Sequence, residues 1–489
     1  MKSGRKDPLK TEKTHFVMPT DRLDNIFVLS SRIPRVRVFL WPALTAVVSG
    51  FYGFAALAAG AAGQSIAAIL YIAFLCLVFV RLGCEPVSEA DGGYAELMIV
   101  CACVVALYAG IYAGFSLGGS VPEALWPKDA FDTHLPRAVN FANYLKGIDP
   151  ISPPYDSYDR LYLTHVLAGI SFFIAGVSPG ATLLTLALLK MTAVISIFFL
   201  GSGMFSRKTG FLAALIYALM PTVLFYTINY YKEAAVHLLV AATLYSAWEA
   251  FVGGRAKRGF LFVFPICVLA LLNERFYVGV FILSGIAAYR LSRIRRAPKA
   301  YVLAGGFFLT GVAVYVLNVR LGIGMDAFLD PSLFVREFAA RIENLRAGYS
   351  SYSDVNAINY RLPYPVAFLK LLFTPFFSLN KFSLFSAYAC LLIWGAVVNQ
   401  AVILTSILGS WHAFKAYGSR NVLTVVPFFL FLAVFSSIAA YNGRVRDSFY
   451  PVISVYAAYF MALRGWPTKA TLRFRGRVKG EWSSGKLLK

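Results

Sequence analysis

The residues best suited to catalysis lie in one short polar stretch, residues 128–137, which contains two carboxylates and a histidine. Asp129 and Asp132 are three positions apart, so a helix beginning near Asp129 places both on one face, with His134 slightly off it. Two such carboxylates could provide a general base for a hydroxyl group and an anchor for a metal ion or hydrogen bond. Alternatively, they are an N-capping Asp and a first-turn charge that favour the helix dipole.

Two further polar turns interrupt long apolar runs. One contains Lys232 and Glu233 after two tyrosines, and the other contains Glu274 and Arg275. If the apolar runs cross a membrane, ionisable groups at such depth are costly and indicate a functional site by default. In the first turn, the Lys232 ammonium could bind a phosphate group, and the Glu233 carboxylate could hold it in place. An interfacial ion pair within an aromatic belt, or a simple polar turn, explains the same residues without a function. Lys190 is a similar case, with no obvious partner in the sequence.

Two arginines, Arg444 and Arg446, precede the final apolar run. Arginine binds phosphate through two parallel hydrogen bonds, and a lipid-linked phosphate is the natural anion at a membrane surface. Ordinary contact with lipid headgroups is the alternative explanation. Further candidates for the same site are Arg137, Glu274 and Arg361.

The composition identifies the elements that must position these residues. The chain has 489 residues, of which 58% are hydrophobic and 14% charged, and its mean hydropathy is +0.65. Soluble proteins have about a quarter of their residues charged, whereas a membrane-spanning helix needs about 20 mostly apolar residues. Such runs recur along this chain, so the sequence predicts an all-α polytopic membrane protein.

The charge balance predicts how the chain is oriented. The 46 Lys and Arg residues exceed the 24 Asp and Glu residues, which gives a net charge of +22. No nucleic-acid-binding motif accompanies this excess, so we expect no nucleic-acid partner. Membrane proteins instead concentrate Lys and Arg in their cytoplasmic loops.

The six cysteines include no Cys-x-x-Cys pair, and this argues against a zinc site or a disulfide framework.

Counting spans by the positive-inside rule gives about twelve transmembrane helices. Fourteen apolar runs are visible, but taking all of them as spans would turn the basic clusters 207–208, 255–258 and 290–299 outward. Runs 161–177 and 363–379 are short and follow prolines, so we predict that they are two re-entrant or interfacial helices. Every basic cluster then faces the cytoplasm, together with both chain termini.

This count predicts three regions and places the candidate residues on one side. The regions are a cytoplasmic basic segment 1–37, a transmembrane domain 38–464 and a cytoplasmic basic tail 465–489. Two long outer loops, 119–180 and 321–383, and three tight outer turns contain nearly all the unusual polar residues. Segment 1–37 lacks a short apolar stretch before a small-residue cleavage site, so we expect no cleaved signal peptide.

The stretch from Asp129 to Arg137 resembles the first-loop signature of the GT-C fold integral membrane glycosyltransferases. The nearest members are bacterial proteins similar to protein mannosyltransferases and aminoarabinose transferases. Residues 153–169 resemble the proline-led apolar segment of that family, residues 231–233 its second outer acidic position, and residues 444–451 its late arginine–proline stretch. Thr133 replaces a tyrosine of the family pattern and Asp132 is an additional carboxylate, so either Asp could have the family's role.

The resemblance implies a GT-C-like fold and sugar transfer from a polyprenyl-phosphate donor to a lipid, glycan or protein acceptor. The reaction would take place on the extracytoplasmic face of a bacterial inner membrane, among membrane lipids. Asp129 or Asp132 would deprotonate the acceptor hydroxyl, and the same pair could hold a divalent cation. The candidates for stabilising the departing phosphate are Lys232, Arg275, Arg444 and Arg446. Glu233 and His134 would orient these groups.

Two other functions fit the predicted layout. A polysaccharide polymerase or ligase that uses lipid diphosphates would depend more on outer arginines such as Arg336, Arg341 and Arg361. A lipid or oligosaccharide flippase also suits twelve to fourteen spans, although many transporters contain paired repeats and midplane polar sites. No internal repeat is visible here, and the polar residues gather on one predicted side.

Overall fold

The structure of the chain is a computed structural model. It describes residues 35–84, 87, 94–119, 130–148, 162–230, 232–253, 258–293, 364–373, 387–437 and 446–464. Within these ranges every regular element is a helix, which confirms the predicted all-α class. The predicted basic tail 465–489, residues 1–34 of the N-terminal segment and the apolar run 301–320 lie outside the described residues.

The first half of the described chain contains eight α-helices. They are α1 Arg35–Ala58, α2 Ala61–Gly83, α3 Tyr94–Gly118, α4 Leu135–Leu145, α5 Leu163–Ala175, α6 Pro179–Met204, α7 Arg207–Leu219 and α8 Pro221–Ile228. A π-helical turn, Ala130–His134, leads directly into α4. Serine side chains cap the next long helices: the Ala181 N–H donates to Ser178 Oγ at α6, and the Thr209 N–H donates to Ser206 Oγ at α7.

The second half of the described chain contains seven more. They are α9 Glu233–Phe251, α10 Arg258–Glu274, α11 Phe276–Arg293, α12 Tyr364–Phe373, α13 Ala387–Tyr417, α14 Val422–Ser437 and α15 Tyr450–Leu463. A 3-10 turn, Gly418–Asn421, joins α13 to α14. Proline lies in the first turn of several described helices, among them Pro221 in α8 and Pro451 in α15, where a missing N–H costs no helical hydrogen bond.

Six described helices are long and apolar enough to cross a membrane. They contain the segments Phe39–Ala58, Ala62–Gly83, Tyr94–Gly118, Pro179–Met204, Glu233–Phe251 and Cys390–Tyr417. The pair α7 and α8, bent by 59° at Pro221, adds a seventh if it forms one broken span. A multi-pass membrane protein is therefore supported by helix length and composition. The count of twelve spans stays a prediction, because the remaining apolar helices fall short of the roughly 20 residues that a bilayer requires.

The centre of the bundle is α6, which packs against α3, α5, α7 and α9. The described residues from Trp41 onward belong to one compact unit, and this packing lies within it. The short helix α4 buries Leu135, Ala138 and Ala142 on one face and exposes Tyr144, so it is amphipathic. It packs against α5, which packs in turn against α6.

Two glycines let α3 pack directly onto the backbone of α1. A Cβ atom at Gly110 would lie 2.3 Å from the Ala46 carbonyl oxygen, and one at Gly114 would lie 2.3 Å from the Gly50 carbonyl oxygen. Small residues four apart are the usual means by which membrane helices approach closely. The absence of a side chain at these positions is therefore a condition of the α1–α3 contact.

Replacing Gly110 by alanine is expected to lower the free energy of unfolding by about 1–3 kcal/mol, because the new methyl group forces the two backbones apart. The matched control is Gly259→Ala in α10, where an added Cβ has no heavy atom within 4 Å. Thermal unfolding of both variants in the same detergent measures the difference. Equal melting temperatures would contradict the close α1–α3 packing.

Candidate functional site

Three segments that are distant in sequence meet at the guanidinium of Arg275. Its Nη2 lies 2.6 Å from Glu233 Oε1, and its Nη1 donates to Ser448 Oγ at 2.6 Å. Glu233 is the first residue of α9, Arg275 separates α10 from α11, and Ser448 lies just before α15. Glu233 is 0% exposed and Arg275 is 6% exposed, so the ion pair is shielded from solvent. We name this group the Arg275 junction.

A second buried ion pair holds the segment that contains Ser448. The Arg446 guanidinium is bound to the neighbouring Asp447 carboxylate, and its Nη1 donates to the Leu372 carbonyl of α12 at 2.9 Å. Burial raises the pKa of Asp447, and the adjacent Arg446 lowers it, with burial having the larger effect. Both side chains of the pair are fully buried. The hydrogen bond from Arg446 to Leu372 connects residues 446–448 to α12.

A histidine pair links the first predicted outer segment to α5. His134 Nδ1 lies 2.9 Å from His165 Nε2, and both side chains are buried. The Tyr162 N–H donates to His165 Nδ1, at 3.5 Å, so the histidine acts as a helix N-terminal cap. Burial, followed by the charges of His134, Arg137 and Lys232, lowers the pKa of His165 to about 2. His165 is therefore neutral at physiological pH.

Glu274 joins the N-terminus of α5 to the end of α10. Its Oε2 accepts a hydrogen bond from the Leu163 N–H, and its Oε1 accepts one from Thr164 Oγ1, both at 2.7 Å. A carboxylate is favourable there because the first backbone N–H groups of a helix have no internal acceptors. Glu274 therefore positions α5, and with it His165, beside the Arg275 junction.

Tyr230 and Lys232 complete the cluster. The Tyr230 ring lies edge-on to His134, with centroids 6.3 Å apart, and the Lys232 ammonium lies 4.7 Å from the ring centroid of Tyr162. Burial raises the pKa of Tyr230, and the nearby Glu274 charge adds to that effect. Lys232 is partly exposed, so among these charged groups it is better placed than the Arg275 junction to meet a ligand.

A polar layer continues inward from Glu233. One turn further along α9, His237 Nδ1 lies 3.0 Å from the Tyr217 hydroxyl. Lys190, near the middle of α6, donates to Thr227 Oγ1 at 3.2 Å, and its ammonium lies 5.6 Å from the Tyr217 ring centroid. The partners that the sequence did not reveal for Lys190 are thus a hydroxyl group and aromatic faces.

The structure brings together several of the residues predicted from sequence. His134, Lys232, Glu233, Glu274 and Arg275 lie in one contiguous set of contacts, described above. Among the other predicted residues, Asp132 is exposed on the π-helical turn, Arg137 is partly exposed on α4, and Arg446 is enclosed with Asp447. Asp129, Arg361 and Arg444 lie outside the described residues.

Sequence reasoning missed His165 and His237 as members of the polar cluster. Each lies within an apolar helix, where a histidine is an unusual residue, and His237 follows Glu233 by four positions. That spacing places both on one helix face and could have identified the second polar layer. Asp447 and Ser448 were not identified as candidates from the sequence, because their burial depends on contacts that are distant in sequence.

The predicted cation site at Asp129 and Asp132 stays a prediction, because Asp129 lies outside the described residues. Among the residues that are described, no group of three or more His, Cys, Asp or Glu side chains could hold a metal ion. Comparison with protein-family models, with curated proteins and with solved structures found no match to this chain. The resemblance to GT-C glycosyltransferases consequently remains an expectation from sequence.

Proposed function

We propose that this chain is a membrane glycosyltransferase that moves a sugar from a polyprenyl-phosphate donor to a lipid, glycan or protein acceptor on the extracytoplasmic face. The observation that supports this most is the convergence of four segments predicted to face that side. Six positions or ranges within them, His134, Tyr230, Glu233, Glu274, Arg275 and residues 446–448, form one buried polar cluster. A single catalytic site needs an acid–base group close to a group that binds the donor phosphate.

The donor phosphate would be held by Lys232. Lys232 is partly exposed, in contrast to the buried Glu233 and Arg275, and its ammonium lies 4.7 Å from the Tyr162 ring centroid. A positive charge aimed at the departing phosphate stabilises the transition state electrostatically. We assign Arg275 and Arg446 a positioning role, because their guanidinium groups are committed to Glu233, Ser448 and Asp447. Arg444, outside the described residues, remains a candidate for direct phosphate contact.

Asp129 or Asp132 would act as the general base. The carboxylate takes the proton of the acceptor hydroxyl while the hydroxyl oxygen attacks the anomeric carbon. The bond between that carbon and the phosphate oxygen breaks, and polyprenyl phosphate leaves with the electron pair. Attack opposite the leaving group inverts the anomeric configuration. Asp132 is exposed on the π-helical turn, two residues before the buried His134, so an acceptor could reach its carboxylate from solvent.

The proposal includes the finer architecture expected from the sequence. This comprises about twelve spans in a GT-C-like arrangement, two long outer loops, cytoplasmic termini and location in a bacterial inner membrane. A site on the outer face has no access to cytoplasmic nucleotide sugars. The sugar donor must therefore be one that is present at that face, such as a lipid-linked sugar phosphate. The polymerase or ligase alternative depends on Arg336, Arg341 and Arg361, which all lie outside the described residues.

Transport is the second candidate function, and one observation favours it. Lys190 and His237 extend the polar cluster toward the middle of α6 and α9, as a path across a membrane would require. A flippase would move a lipid-linked sugar across the membrane without breaking the sugar–phosphate bond. The two functions therefore differ in the covalent fate of the donor.

The test uses the full chain in proteoliposomes with a panel of polyprenyl-phosphate hexoses and pentoses labelled in the sugar. A total lipid and glycan extract serves as the source of acceptor. We expect label to leave the polyprenyl lipid and appear in an acceptor with inverted anomeric configuration. Label that crosses the membrane while still attached to its lipid would favour transport. Labelled donors that are neither consumed nor moved would contradict both proposals.

A further inference from the structure

The hydrogen bonds of the histidine pair determine where its protons lie. The Tyr162 N–H can only donate, so His165 Nδ1, which accepts from it, has no proton. A neutral His165 must then have its proton on Nε2. That Nε2 lies 2.9 Å from His134 Nδ1, so it donates and His134 Nδ1 accepts. A neutral His134 consequently has its own proton on Nε2.

We infer that His165 is a positioning residue that holds His134 in the Nε2–H tautomer, so that His134 offers a hydrogen-bond donor to the reaction and does not act as its base. The assignment of a reaction rests on the proposed glycosyl transfer, whereas the tautomer does not. An N–H donor suits an anionic oxygen, either of a carboxylate or of a phosphate. The lone pair on His134 Nδ1 is occupied by His165, so His134 does not act as the base, and the proposed role of Asp129 or Asp132 is kept.

The surroundings keep His165 neutral. Lys232 and Arg137 place positive charge near His165, and a protonated ring would add a further positive charge in a buried position. The nearby carboxylate of Glu274 is engaged with the N-terminus of α5. His165 is 0% exposed and His134 is 5% exposed, so water does not compete for the hydrogen bond between them.

Nitrogen-15 spectra of the histidine rings test the tautomer without any assay of activity. The chain has five histidines, and the His134 signals are identified by their loss in His134→Gln. In the wild-type protein we expect His134 Nδ1 to be unprotonated and Nε2 to be protonated. A proton on Nδ1 would overturn the inference. Because this spectrum needs no variant of His165, the result does not depend on whether such a variant folds.

Two variants of His165 separate positioning from packing. In His165→Gln the side-chain amide can place an N–H group where His165 Nε2 was, so we expect the His134 tautomer to be retained. In His165→Glu a carboxylate takes that place, and we expect a proton to move onto His134 Nδ1. A glutamate side chain can still accept from the Tyr162 N–H, as in a capping box, so the start of α5 is preserved. An unchanged His134 spectrum in His165→Glu would overturn the inference.

Transfer kinetics then test the role. We expect His165→Gln to retain transfer within about threefold and His165→Glu to lower kcat by about 100-fold or more, with little change in KM. Full activity of His165→Glu would overturn the donor role. If no labelled donor reacts with any form while the predicted tautomer is observed, the proposed glycosyl transfer falls and the tautomer assignment stands.

Discussion

Replacing Glu233 by glutamine is expected to lower the free energy of unfolding by about 3–5 kcal/mol, because it removes the carboxylate that binds the buried Arg275 guanidinium. The pair is 2.6 Å apart and almost completely shielded from solvent, so water cannot take over from the carboxylate. Ser448 would still accept one hydrogen bond from Arg275, but a neutral hydroxyl group does not compensate a full charge. Denaturant titration in detergent measures the loss.

A double-mutant cycle separates this effect from general damage. Arg275→Met alone should also destabilise, whereas Glu233→Gln together with Arg275→Met should recover most of the loss, since no unpaired charge remains. The matched control is Arg420→Met, which removes an exposed arginine and should change stability by no more than about 0.5 kcal/mol. If the effects of the two single changes simply add, the buried pair is not the source of the stability.

Replacing Asp129 or Asp132 by asparagine is expected to reduce sugar transfer by about 10²–10⁴-fold in one of the two variants, which is the range typical of a general base. Asparagine has nearly the shape of aspartate but cannot take a proton from the acceptor hydroxyl. Donor binding should persist, because Lys232 is unchanged. The loss should therefore lie in kcat, measured with labelled donor in proteoliposomes.

The other Asp variant shows whether the second carboxylate has a separate role. Glu249→Gln is the control, since Glu249 lies in the last turn of α9, at the end opposite Glu233. It should leave transfer unchanged. Retention of full transfer by both Asp129→Asn and Asp132→Asn would exclude these residues as the base and would remove the proposed mechanism.

The helical class and the identity of most polar cluster members were predictable, but their partners were not. Composition and apolar runs are local properties, and they were sufficient to predict helices over α2, α3 and α9. The apolar residues 210–228 form no single straight helix, because Pro221 divides them into α7 and α8 at an angle of 59°. A proline within an apolar run predicts a break, although only packing sets its angle.

Long-range pairing explains what the sequence could not predict. Glu233 and Arg275 were both identified as candidates, yet nothing in their spacing shows that they contact each other and Ser448. Lys190 seemed to lack a partner because Thr227 and Tyr217 come from other helices. His165 was noted only as part of an apolar segment, because its importance comes from a contact with His134, 31 positions earlier.

The most direct test of the polar cluster as a phosphate-lipid site is binding of polyprenyl monophosphate to the purified chain, followed by thermal shift and compared with uncharged polyprenol. We predict that the phosphate lipid binds more tightly than the alcohol. Lys232→Ala should remove most of that preference, about tenfold or more in Kd. Lys208→Ala, at the predicted cytoplasmic end of α7, should leave it unchanged. Equal binding of the two lipids, or an unchanged preference in Lys232→Ala, would contradict the proposed site.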